Sequence, residues 1–535
     1  MKNRILVISF SVLLSVVSCV GVDKEQTKPN IIYVLADDMG YGDVSRLNPE
    51  GKIKTKNLDR MADSGMIFTD AHTSSSVCTP TRYGILTGRY SWRSKLKSSV
   101  LTGKSKALIP SSRTTVASML SDQGYQTAFI GKWHLGWDWG LKNPDETRGE
   151  GWNKEDFENL DFTKPVTNNP NDLGFSYSYG LSGSLDMAPY VYVENGRVTA
   201  LPDTITVNKG KYSWWREGPT ASDFDHEDVT PNFFRRAKKY VFEKAKEGSP
   251  FFLYLALPSP HTPILPTEDW EGISGLNPYG DFVMMIDSYM GQLLESIKAA
   301  GIEENTLIIF TTDNGCSPAA GITALQDLEH YPSYRYRGHK ADIYEGGHRV
   351  PFIVKWSGKI KRASINNQVV CTTDLMATLA DITEYSLNDN EGEDSFSMLP
   401  LFKQNSADES TRKTIVHHSI NGSFAIRKNE WKLIMAPGSG GWSFPNPVKD
   451  KELLETMPSI QLYNLETDPG ETTNLYDQNP ETITELKSLL IRYILEGRST
   501  PGKIQQNDSI DFEWKQIDFI NPEKYSNVVT IKDSH

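Results

Sequence analysis

The chain has 535 residues, of which 38% are hydrophobic and 23% are charged. These values are typical of a soluble globular protein with about two to four domains. The formal net charge of −12 argues against a nucleic-acid partner, because neutralising phosphates requires a basic face. It does not exclude a small anionic substrate, since a local group of cations can still form a positive pocket.

The N-terminus is predicted to be a targeting segment. Lys2 and Arg4 precede an apolar run at 5–17 that is too short to span a membrane stably. Small residues then precede Cys19, a pattern typical of a bacterial lipoprotein cleavage site. We interpret residues 1–18 as a lipoprotein signal peptide; an ordinary secretory signal cleaved nearby is the alternative. Both predict an exported protein, and the first predicts a periplasmic or cell-surface lipoprotein attached to a membrane through a lipid anchor on Cys19.

From Asn30 onward, strand-like and helix-like stretches alternate. Residues 31–36 form a continuous apolar run, as expected for a strand buried on both faces. Further strands are predicted at 126–130, 251–257 and 306–310, and amphipathic helices at 115–122, 232–246 and 281–299. This alternation predicts an α/β fold with a large mixed, mostly parallel sheet sandwiched by helices.

Two regions depart from this alternation. Residues 137–231 are rich in Asn, Gly, Pro and Trp, which predicts an insertion with little regular structure over the edge of the sheet. After residue 400 the pattern predicts a smaller α+β C-terminal subdomain, with an antiparallel sheet and a helix against it. Its predicted strands are 414–418, 423–427, 431–435 and 461–465, and its helix is 481–496. We assign the main domain to 28–400 and the subdomain to 401–535.

Polar and charged residues directly follow four of the predicted strands. They are Asp37, Asp38, Lys132, His134, His261, Asp313 and Asn314. In open α/β sheets, ligands bind outside the carboxyl ends of the strands, so residues far apart in sequence meet at one edge. Strand placement alone therefore predicts an active site at this edge.

The acidic members of this set predict a metal site. Asp37, Asp38, Asp313 and Asn314 offer only oxygen ligands, which suit Ca²⁺ or Mg²⁺ better than Zn²⁺. Adjacent aspartates repel each other unless a cation lies between them or water solvates both. Both segments also fit plain turns, and the residues alone leave that alternative open.

A second signal is Cys78-Thr79-Pro80-Thr81-Arg82, followed by Leu86-Thr87-Gly88-Arg89. Pro80 fits the first turn of a helix that begins near Cys78, where backbone N–H groups bind anions. Arg82 lies one helical turn beyond Cys78 and returns to the same face. The simpler alternative for a lone cysteine is a small buried residue or half of a disulfide bond. The other cysteines of the predicted mature domain either pair or stay reduced: Cys316 and Cys371.

This pattern resembles the signature of the type I, formylglycine-dependent sulfatases of the alkaline phosphatase superfamily. Three further segments resemble those that carry the family's sulfate-binding lysines and its histidines: Gly131-Lys132-Trp133-His134, Ser259-Pro260-His261-Thr262-Pro263, and Gly338-His339-Lys340 followed by 344–351. The resemblance is specific over 28–356, and residues 462–471 resemble the family's C-terminal subdomain. Several motifs are most similar to the arylsulfatase A and N-acetylgalactosamine-sulfatase branch. The main domain is therefore expected to be a sulfatase catalytic domain.

The resemblance implies a nucleophile made after translation. A maturation enzyme would oxidise Cys78 to formylglycine, whose hydrate attacks the sulfate ester and forms a sulfated-enzyme intermediate. The resemblance also implies one divalent ion, usually calcium, with the ligands Asp37, Asp38, Cys78, Asp313 and Asn314. Further implied roles are holding the nucleophile for Arg82, sulfate binding for Lys132 and Lys340, protonation of the departing alcohol for His261, and proton removal for His134.

Substrate contacts beyond the sulfate are less sharply indicated. His339 and His348 flank Lys340 and are candidate sugar contacts, with plain polar surface as the alternative. Asp186, within the insertion, is a candidate ligand for a sugar hydroxyl. The segment Trp214-Trp215-Arg216 either stacks on a pyranose ring or forms a buried aromatic pair.

Three functions fit these observations. The first is a sulfatase acting on sulfated carbohydrates outside the cytoplasm, with sulfated galactose or N-acetylgalactosamine as candidate substrates. The second is a phosphatase, phosphodiesterase or phosphonate hydrolase of the same superfamily; typical two-zinc members need more His and Asp ligands than the sequence offers. The third is a catalytically inactive surface lipoprotein that binds sulfated glycans.

Overall fold

The computed structural model describes residues 28–146, 151, 157–403, 412–508 and 514–520. The predicted signal peptide and Cys19 lie outside the described residues. None of the helices in the described part of the chain combines the length and apolar character that a membrane span requires.

Strands and helices are numbered here in chain order. The strands are β1 (Asn30–Ala36), β2 (Met66–Phe68), β3 (Ala71–His72), β4 (Gln126–Lys132), β5 (Tyr177–Leu181), β6 (Val193–Glu194), β7 (Arg197–Val198), β8 (Pro202–Asn208), β9 (Trp215–Ala221), β10 (Phe251–Ala256), β11 (Thr306–Thr312), β12 (Phe352–Trp356), β13 (Ser364–Asn366), β14 (Val370–Cys371), β15 (Thr414–His418), β16 (Phe424–Lys428), β17 (Trp431–Ile434) and β18 (Gln461–Asn464). The helices are α1 (Lys56–Asp63), α2 (Cys78–Thr87), α3 (Val116–Asp122), α4 (Val229–Glu247), α5 (Pro278–Ala299), α6 (Ile322–Asp327), α7 (Glu345–His348), α8 (Leu375–Thr383), α9 (Leu399–Phe402), α10 (Lys451–Thr456) and α11 (Pro480–Leu495).

The main sheet is mixed, with a parallel centre. In the described part of the chain its order is β13-β2-β12-β11-β1-β10-β4-β5-β6-β7. The central strands from β11 to β5 pair in parallel, whereas β12, β6 and β7 pair with their neighbours in antiparallel fashion. Every residue of β1, β10 and β11 is buried, so packing covers both faces of the sheet. The predicted α/β fold is confirmed.

Helices supply that covering layer. Helix α5 contacts both α1 and α4, and α2, α3 and α8 form a second contacting group. Helix α5 explains how such a layer forms: Asn277 accepts hydrogen bonds from the backbone N–H groups of Tyr279 and Gly280, and its buried positions recur along one face. Amphipathic helices therefore bury the apolar strands on both sides.

The insertion contains more regular structure than its composition predicts. Strand β5 pairs in parallel with β4 and extends the main sheet, and β6 and β7 complete that edge. Strands β8 and β9 form a separate hairpin. The prediction of little regular structure at 137–231 is therefore wrong, because tertiary pairing with β4 outweighs the weak local pattern.

The C-terminal subdomain is an antiparallel sheet of order β15-β16-β17-β18, with α11 against β16 and β17. Its apolar core includes Phe424, Leu433 and Leu490 of the subdomain together with Tyr90 and Trp92 of the main domain. The predicted architecture of the subdomain is confirmed, and its core is shared across the boundary between the two parts.

Candidate active site

The carboxyl ends of β1, β4, β10 and β11 lie in register at one edge of the main sheet. Ala36 of β1 pairs with Thr312 of β11, and Ala256 of β10 pairs with Gly131 of β4. The residues that follow these strands therefore come together, as strand placement predicts. Backbone hydrogen bonds continue across the edge, from Asp37 N–H to the Ser259 carbonyl at 2.9 Å.

Two lysines contact the paired aspartates. The Lys132 ammonium lies 2.5 Å from Asp37 Oδ2, and the Lys340 ammonium lies 2.7 Å from Asp38 Oδ1. All four side chains are buried. Burial opposes ionisation of Asp37, but the cations around it, Lys132 first, outweigh that cost and hold its pKa well below the usual range. The site therefore holds an ionised Asp37 carboxylate close to Lys132.

Arg82 fixes the third acid. Its Nε and Nη2 donate to Asp313 Oδ2 at 3.0 and 2.7 Å, and its Nη1 donates to the Lys132 carbonyl at 2.9 Å. This two-point contact orients the Asp313 carboxylate and ties α2 to the end of β4. The guanidinium is directed to the strand ends and contacts Asp313 and the Lys132 carbonyl, and its role in holding the nucleophile stays a prediction.

Cys78 is the first residue of α2 and is buried. Its Sγ and one ligand atom from each of Asp37, Asp38 and His261 all lie within 4.8 Å of one another. Burial raises the pKa of the Cys78 thiol to about 12, so the unmodified side chain is a neutral thiol at physiological pH. The side chain sits at the centre of the cluster, yet it is poorly suited to act as a thiolate.

The two histidines differ in their surroundings. His134 is fully buried, and its Nε2 lies 2.7 Å from the Leu101 carbonyl, which leaves Nδ1 as the acceptor nitrogen. Burial, then Lys132, lowers its pKa well below the usual value. His261 Nδ1 lies 2.6 Å from the Thr262 carbonyl, and its Nε2 lies 3.6 Å from Asp38 Oδ2. Burial, then Lys340, lowers the His261 pKa as well. Both rings are neutral near pH 7 without an anionic ligand.

The acidic edge fits a hard divalent cation. Asp37 Oδ1 and Asn314 Oδ1 are buried oxygen atoms without a hydrogen-bond partner. Asp38 has a left-handed backbone with φ of 67°, an unfavourable conformation that persists where the surroundings enforce it. Unsatisfied buried oxygens are costly unless something binds them. The donor set of Asp37, Asp38, Asp313 and Asn314 consists of oxygens alone, which suits Ca²⁺ or Mg²⁺.

Asp186 and Arg216 lie beside His261. The Arg216 guanidinium forms an ion pair with the buried Asp186 carboxylate, whose Oδ1 lies 3.9 Å from His261 Nδ1. Trp215 stacks on His226 with ring centroids 3.9 Å apart, and Arg216 lies over the Trp214 ring. The two tryptophans thus pack separately instead of forming a pair.

The structure separates the two candidate sugar contacts around Lys340. His339 is partly exposed, and its backbone N–H donates to Asp342 Oδ2 at 2.9 Å. His348 is fully buried, with its Nδ1 3.1 Å from His72 Nδ1 and its ring stacked on His417. The expectation that His348 contacts the sugar or is polar surface is therefore wrong, because α7 turns this ring into the interior.

His348 belongs to a second buried group of charges, named here the histidine cluster. It lies where the main domain meets the C-terminal sheet. Its members are Asp70, His72, Glu345, His348, Arg349, His417, Arg427, Lys432 and Glu471. Lys432 contacts both Glu345, at 3.1 Å, and Glu471, at 2.8 Å. Three cations face three carboxylates, so the cluster is balanced within itself.

Sequence reasoning missed several residues that support the site. The Tyr279 hydroxyl donates to the Asp38 carbonyl at 3.1 Å, and Asp342 is a buried carboxylate beside the Lys340 segment. Tyr279 lies in the first turn of α5, a position that shows no local signal of function. The three cysteines in the described residues, Cys78, Cys316 and Cys371, are free, so the open question of a Cys316–Cys371 pair resolves to reduced thiols.

Known proteins are similar to this chain over most of its length. Residues 29–385 match the family model described as Sulfatase. The N-acetylgalactosamine-6-O-sulfatase of Bacteroides thetaiotaomicron is 33% identical over 503 residues, which cover 86% of this chain and 92% of that relative. Arylsulfatase A of Homo sapiens is 29% identical over 502 residues, covering 89% and 90% of the two chains.

A solved structure is also similar to this chain over most of its length. It comes from work on the metabolism of multiple glycosaminoglycans by Bacteroides thetaiotaomicron, and it superposes with a TM-score of 0.74 at 30% identity. It covers 87% of this chain and 99% of its own. The family model alone spans more than half of the residues. The chain belongs to the sulfatase family and is a sulfuric ester hydrolase.

Proposed function

We propose that this protein hydrolyses sulfate esters of sulfated carbohydrates, using formylglycine made from Cys78 by a maturation enzyme. The observation that carries the proposal is the convergence of Cys78, Asp37, Asp38 and His261 within 4.8 Å, with Lys132 and Lys340 on the two aspartates. A sulfate ester is anionic, and two buried cations are well suited to stabilise the charge on its oxygens. Carbohydrate is proposed as the substrate because named relatives act on sulfated sugars.

The side chains divide the chemistry between them. Formylglycine at position 78 would, as its hydrate, supply two hydroxyl groups, one for attack on sulfur and one for the later release of sulfate. His261 donates a proton to the departing alcohol oxygen as its bond to sulfur breaks, which requires an anionic ligand to offset the present lowering of the His261 pKa. A sulfated-enzyme intermediate results. His134 then accepts the proton of the second hydroxyl, sulfate leaves and the aldehyde returns.

Lys132 and Lys340 hold the sulfate in this scheme. Each ammonium now contacts one aspartate and has further donors for sulfate oxygens. Asp37, Asp38, Asp313 and Asn314, with the modified Cys78, would hold one divalent ion, Ca²⁺ in our proposal. The ion would supply positive charge close to the reacting oxygens. The unpartnered Oδ1 atoms of Asp37 and Asn314 support this assignment.

The finer substrate and the location are also part of the proposal. Sulfated galactose or N-acetylgalactosamine is the proposed sugar, since a relative of 33% identity is named for N-acetylgalactosamine 6-sulfate chemistry. The N-terminal pattern supports an exported lipoprotein, periplasmic or at the cell surface, attached to the membrane through Cys19. Lipid on Cys19, detected by mass spectrometry of the mature N-terminus, would test the anchor.

An assay of paired substrates tests the function. Purified protein, co-expressed with a formylglycine-generating enzyme, is given 4-nitrophenyl sulfate, 4-nitrophenyl phosphate and bis(4-nitrophenyl) phosphate, then a panel of defined sulfated mono- and disaccharides. We expect kcat/KM for the sulfate ester to exceed that for either phosphate ester, and one galactose-type sulfate to be preferred. A preference for a phosphate ester would overturn the proposal in favour of the phosphatase alternative. No turnover of any ester would favour a glycan-binding protein without catalysis.

A further inference from the structure

We propose that Trp442 forms a binding platform for the sugar ring next to the sulfated one, so that the preferred substrate is an oligosaccharide. Trp442 lies in a glycine-rich segment of the C-terminal subdomain, 438–446, called here the Trp442 loop. The inference rests on the proposed function, because it names the substrate class of the same site.

One buried carboxylate joins the Trp442 loop to the sulfate-binding segment. Asp342 Oδ1 accepts hydrogen bonds from the backbone N–H groups of Trp442, at 2.7 Å, and Ser443, at 2.9 Å. Asp342 Oδ2 accepts from His339 N–H at 2.9 Å. Asp342 lies two residues after Lys340, whose ammonium reaches Asp38 in the active site. The loop is therefore fixed to the segment that supplies the second sulfate-binding lysine.

Close backbone packing places the loop directly on this segment. A Cβ atom added to Gly441 would lie 2.4 Å from the Ala341 carbonyl oxygen and 2.6 Å from Asp342 Oδ1. Ile343 N–H donates to the Ser439 carbonyl at 2.8 Å, which adds a second link. Gly441 packs on Ala341, the residue after Lys340, and consecutive Cα atoms are about 3.8 Å apart, so the Trp442 and Lys340 backbones are on the order of 10 Å apart, roughly the length of a disaccharide.

The Trp442 side chain is available for a ligand despite this fixed backbone. It is 45% exposed, and it takes part in no ring-to-ring contact among the described residues. Inside the loop, Asn446 Nδ2 donates to the Gly441 and Trp442 carbonyls at 3.2 Å each. An indole held by a rigid backbone offers a flat apolar face at low entropic cost.

A sugar ring fits this platform better than a protein partner does. The apolar side chains exposed with Trp442 on this loop are few, with Phe444 the other large one, and protein interfaces need about 800 Å² from each partner. A pyranose ring presents an apolar C–H face that stacks on one indole, while its hydroxyls stay in water. Because the loop borders the Lys340 segment, the ring that stacks there is the neighbour of the sulfated sugar.

Substrates of different length test this assignment. Wild-type, Trp442→Ala and Trp442→Phe proteins are assayed with 4-nitrophenyl sulfate, N-acetylgalactosamine 6-sulfate and a chondroitin 6-sulfate tetrasaccharide. We expect Trp442→Ala to raise KM for the tetrasaccharide about tenfold and to change kcat less than twofold, with the two small substrates unaffected. Trp442→Phe retains a ring and should restore most of the affinity. Tyr476→Ala, which removes another exposed aromatic from the same subdomain, is the matched control and should change nothing.

The outcomes separate this inference from the proposed function. Equal effects of Trp442→Ala on all three substrates would mean that the residue only supports the loop, and no effect on any would mean that it binds nothing; either result overturns the inference. A wild-type protein that hydrolyses no sulfate ester would instead overturn the proposed function. In that case calorimetry with Cys78→Ala protein can still test the platform. The tetrasaccharide must bind more tightly than the monosaccharide, and a second substitution, Trp442→Ala, must remove this difference in affinity. Equal binding of the two saccharides would contradict the platform.

Discussion

The active site and the histidine cluster contain similar charged side chains, but they differ in where those side chains lie in the fold. In the active site Asp37, Asp38 and Asp313 face Lys132, Lys340 and Arg82, and two buried oxygens are left without hydrogen-bond partners. In the histidine cluster three carboxylates likewise face three cations, at the contact between the main domain and the C-terminal sheet.

Position in the fold explains the difference. The active-site acids follow strand ends, where the sheet stops and a ligand can enter. The histidine cluster is closed between two sheets, and Lys432 is fully buried between Glu345 and Glu471. A charge group at the strand ends can bind an ion and an anion that enter from outside, whereas one closed by packing ties two parts of the chain together. The comparison predicts that mutations in the first group reduce activity and those in the second reduce stability.

The largest expected effect is on catalysis. Cys78→Ala removes the proposed nucleophile, and we expect kcat/KM for 4-nitrophenyl sulfate to fall at least about 1,000-fold. Because the side chain is small, the midpoint of thermal unfolding should change little. Cys371→Ala is the matched control, a buried cysteine outside the site, and should keep most of the activity. Substantial activity in Cys78→Ala would contradict the assignment of Cys78 as the source of the nucleophile.

Mutations in the histidine cluster should lower stability more than they lower activity. Lys432→Met leaves Glu345 and Glu471 buried beside each other without their shared cation, and we expect unfolding free energy to fall by about 3 kcal/mol. Urea unfolding followed by tryptophan fluorescence measures this loss. Lys428 lies on the same sheet as Lys432 and forms an exposed ion pair with Glu485. Lys428→Met breaks this pair and should lower the unfolding free energy by less than about 1 kcal/mol. A stable but inactive Lys432→Met protein would contradict the division of roles.

Metal removal should act on the active site alone. Dialysis against a chelator is expected to lower kcat about 100-fold, and added Ca²⁺ should restore it. The carboxylates of the histidine cluster already contact Arg349, Arg427 and Lys432, so the contact between the two parts of the chain should survive, which limited proteolysis can follow. Full activity after chelation, with no metal found by elemental analysis, would rule out the cation.

Acid should destabilise the fold through its buried histidines, one of which lies at the boundary between the two parts. Burial lowers the pKa of His418, beside the cluster, to about 3. Below pH 6.5 the unfolded chain protonates this residue while the folded chain does not, so the contribution of His418 to stability is constant above that pH and falls as pH decreases toward 3. The expected slope is about 1.4 kcal/mol per pH unit for each such histidine. Urea unfolding at pH 7.5, 6 and 5 measures it, and His418→Gln should flatten the slope; an unchanged slope would contradict this account.

Part of the active site could be predicted from local sequence, and the rest depends on tertiary packing. Asp37, His134 and Asp313 were predictable because each follows an apolar strand whose end the fold class places at one edge. Lys340 follows no strand, so only its motif indicated a role. His348 was placed wrongly, because closeness in sequence to Lys340 did not show that α7 turns its ring inward.

The contributions of the C-terminal subdomain could not be predicted in the same way. Asp342 and Trp442 are 100 residues apart in sequence, and they meet only because the subdomain packs on the main domain. The histidine cluster likewise joins residues from both parts of the chain. Strand β5 was missed because its pairing with β4, and not its own composition, holds it in the sheet.

The chemical state of residue 78 tests the central claim most directly. The protein is produced with and without a formylglycine-generating enzyme, and the peptide that contains Cys78 is measured by mass spectrometry alongside sulfatase activity. We predict that specific activity rises in proportion to the fraction of peptide carrying the aldehyde. Fully active protein in which this peptide carries only the unmodified thiol would contradict the account.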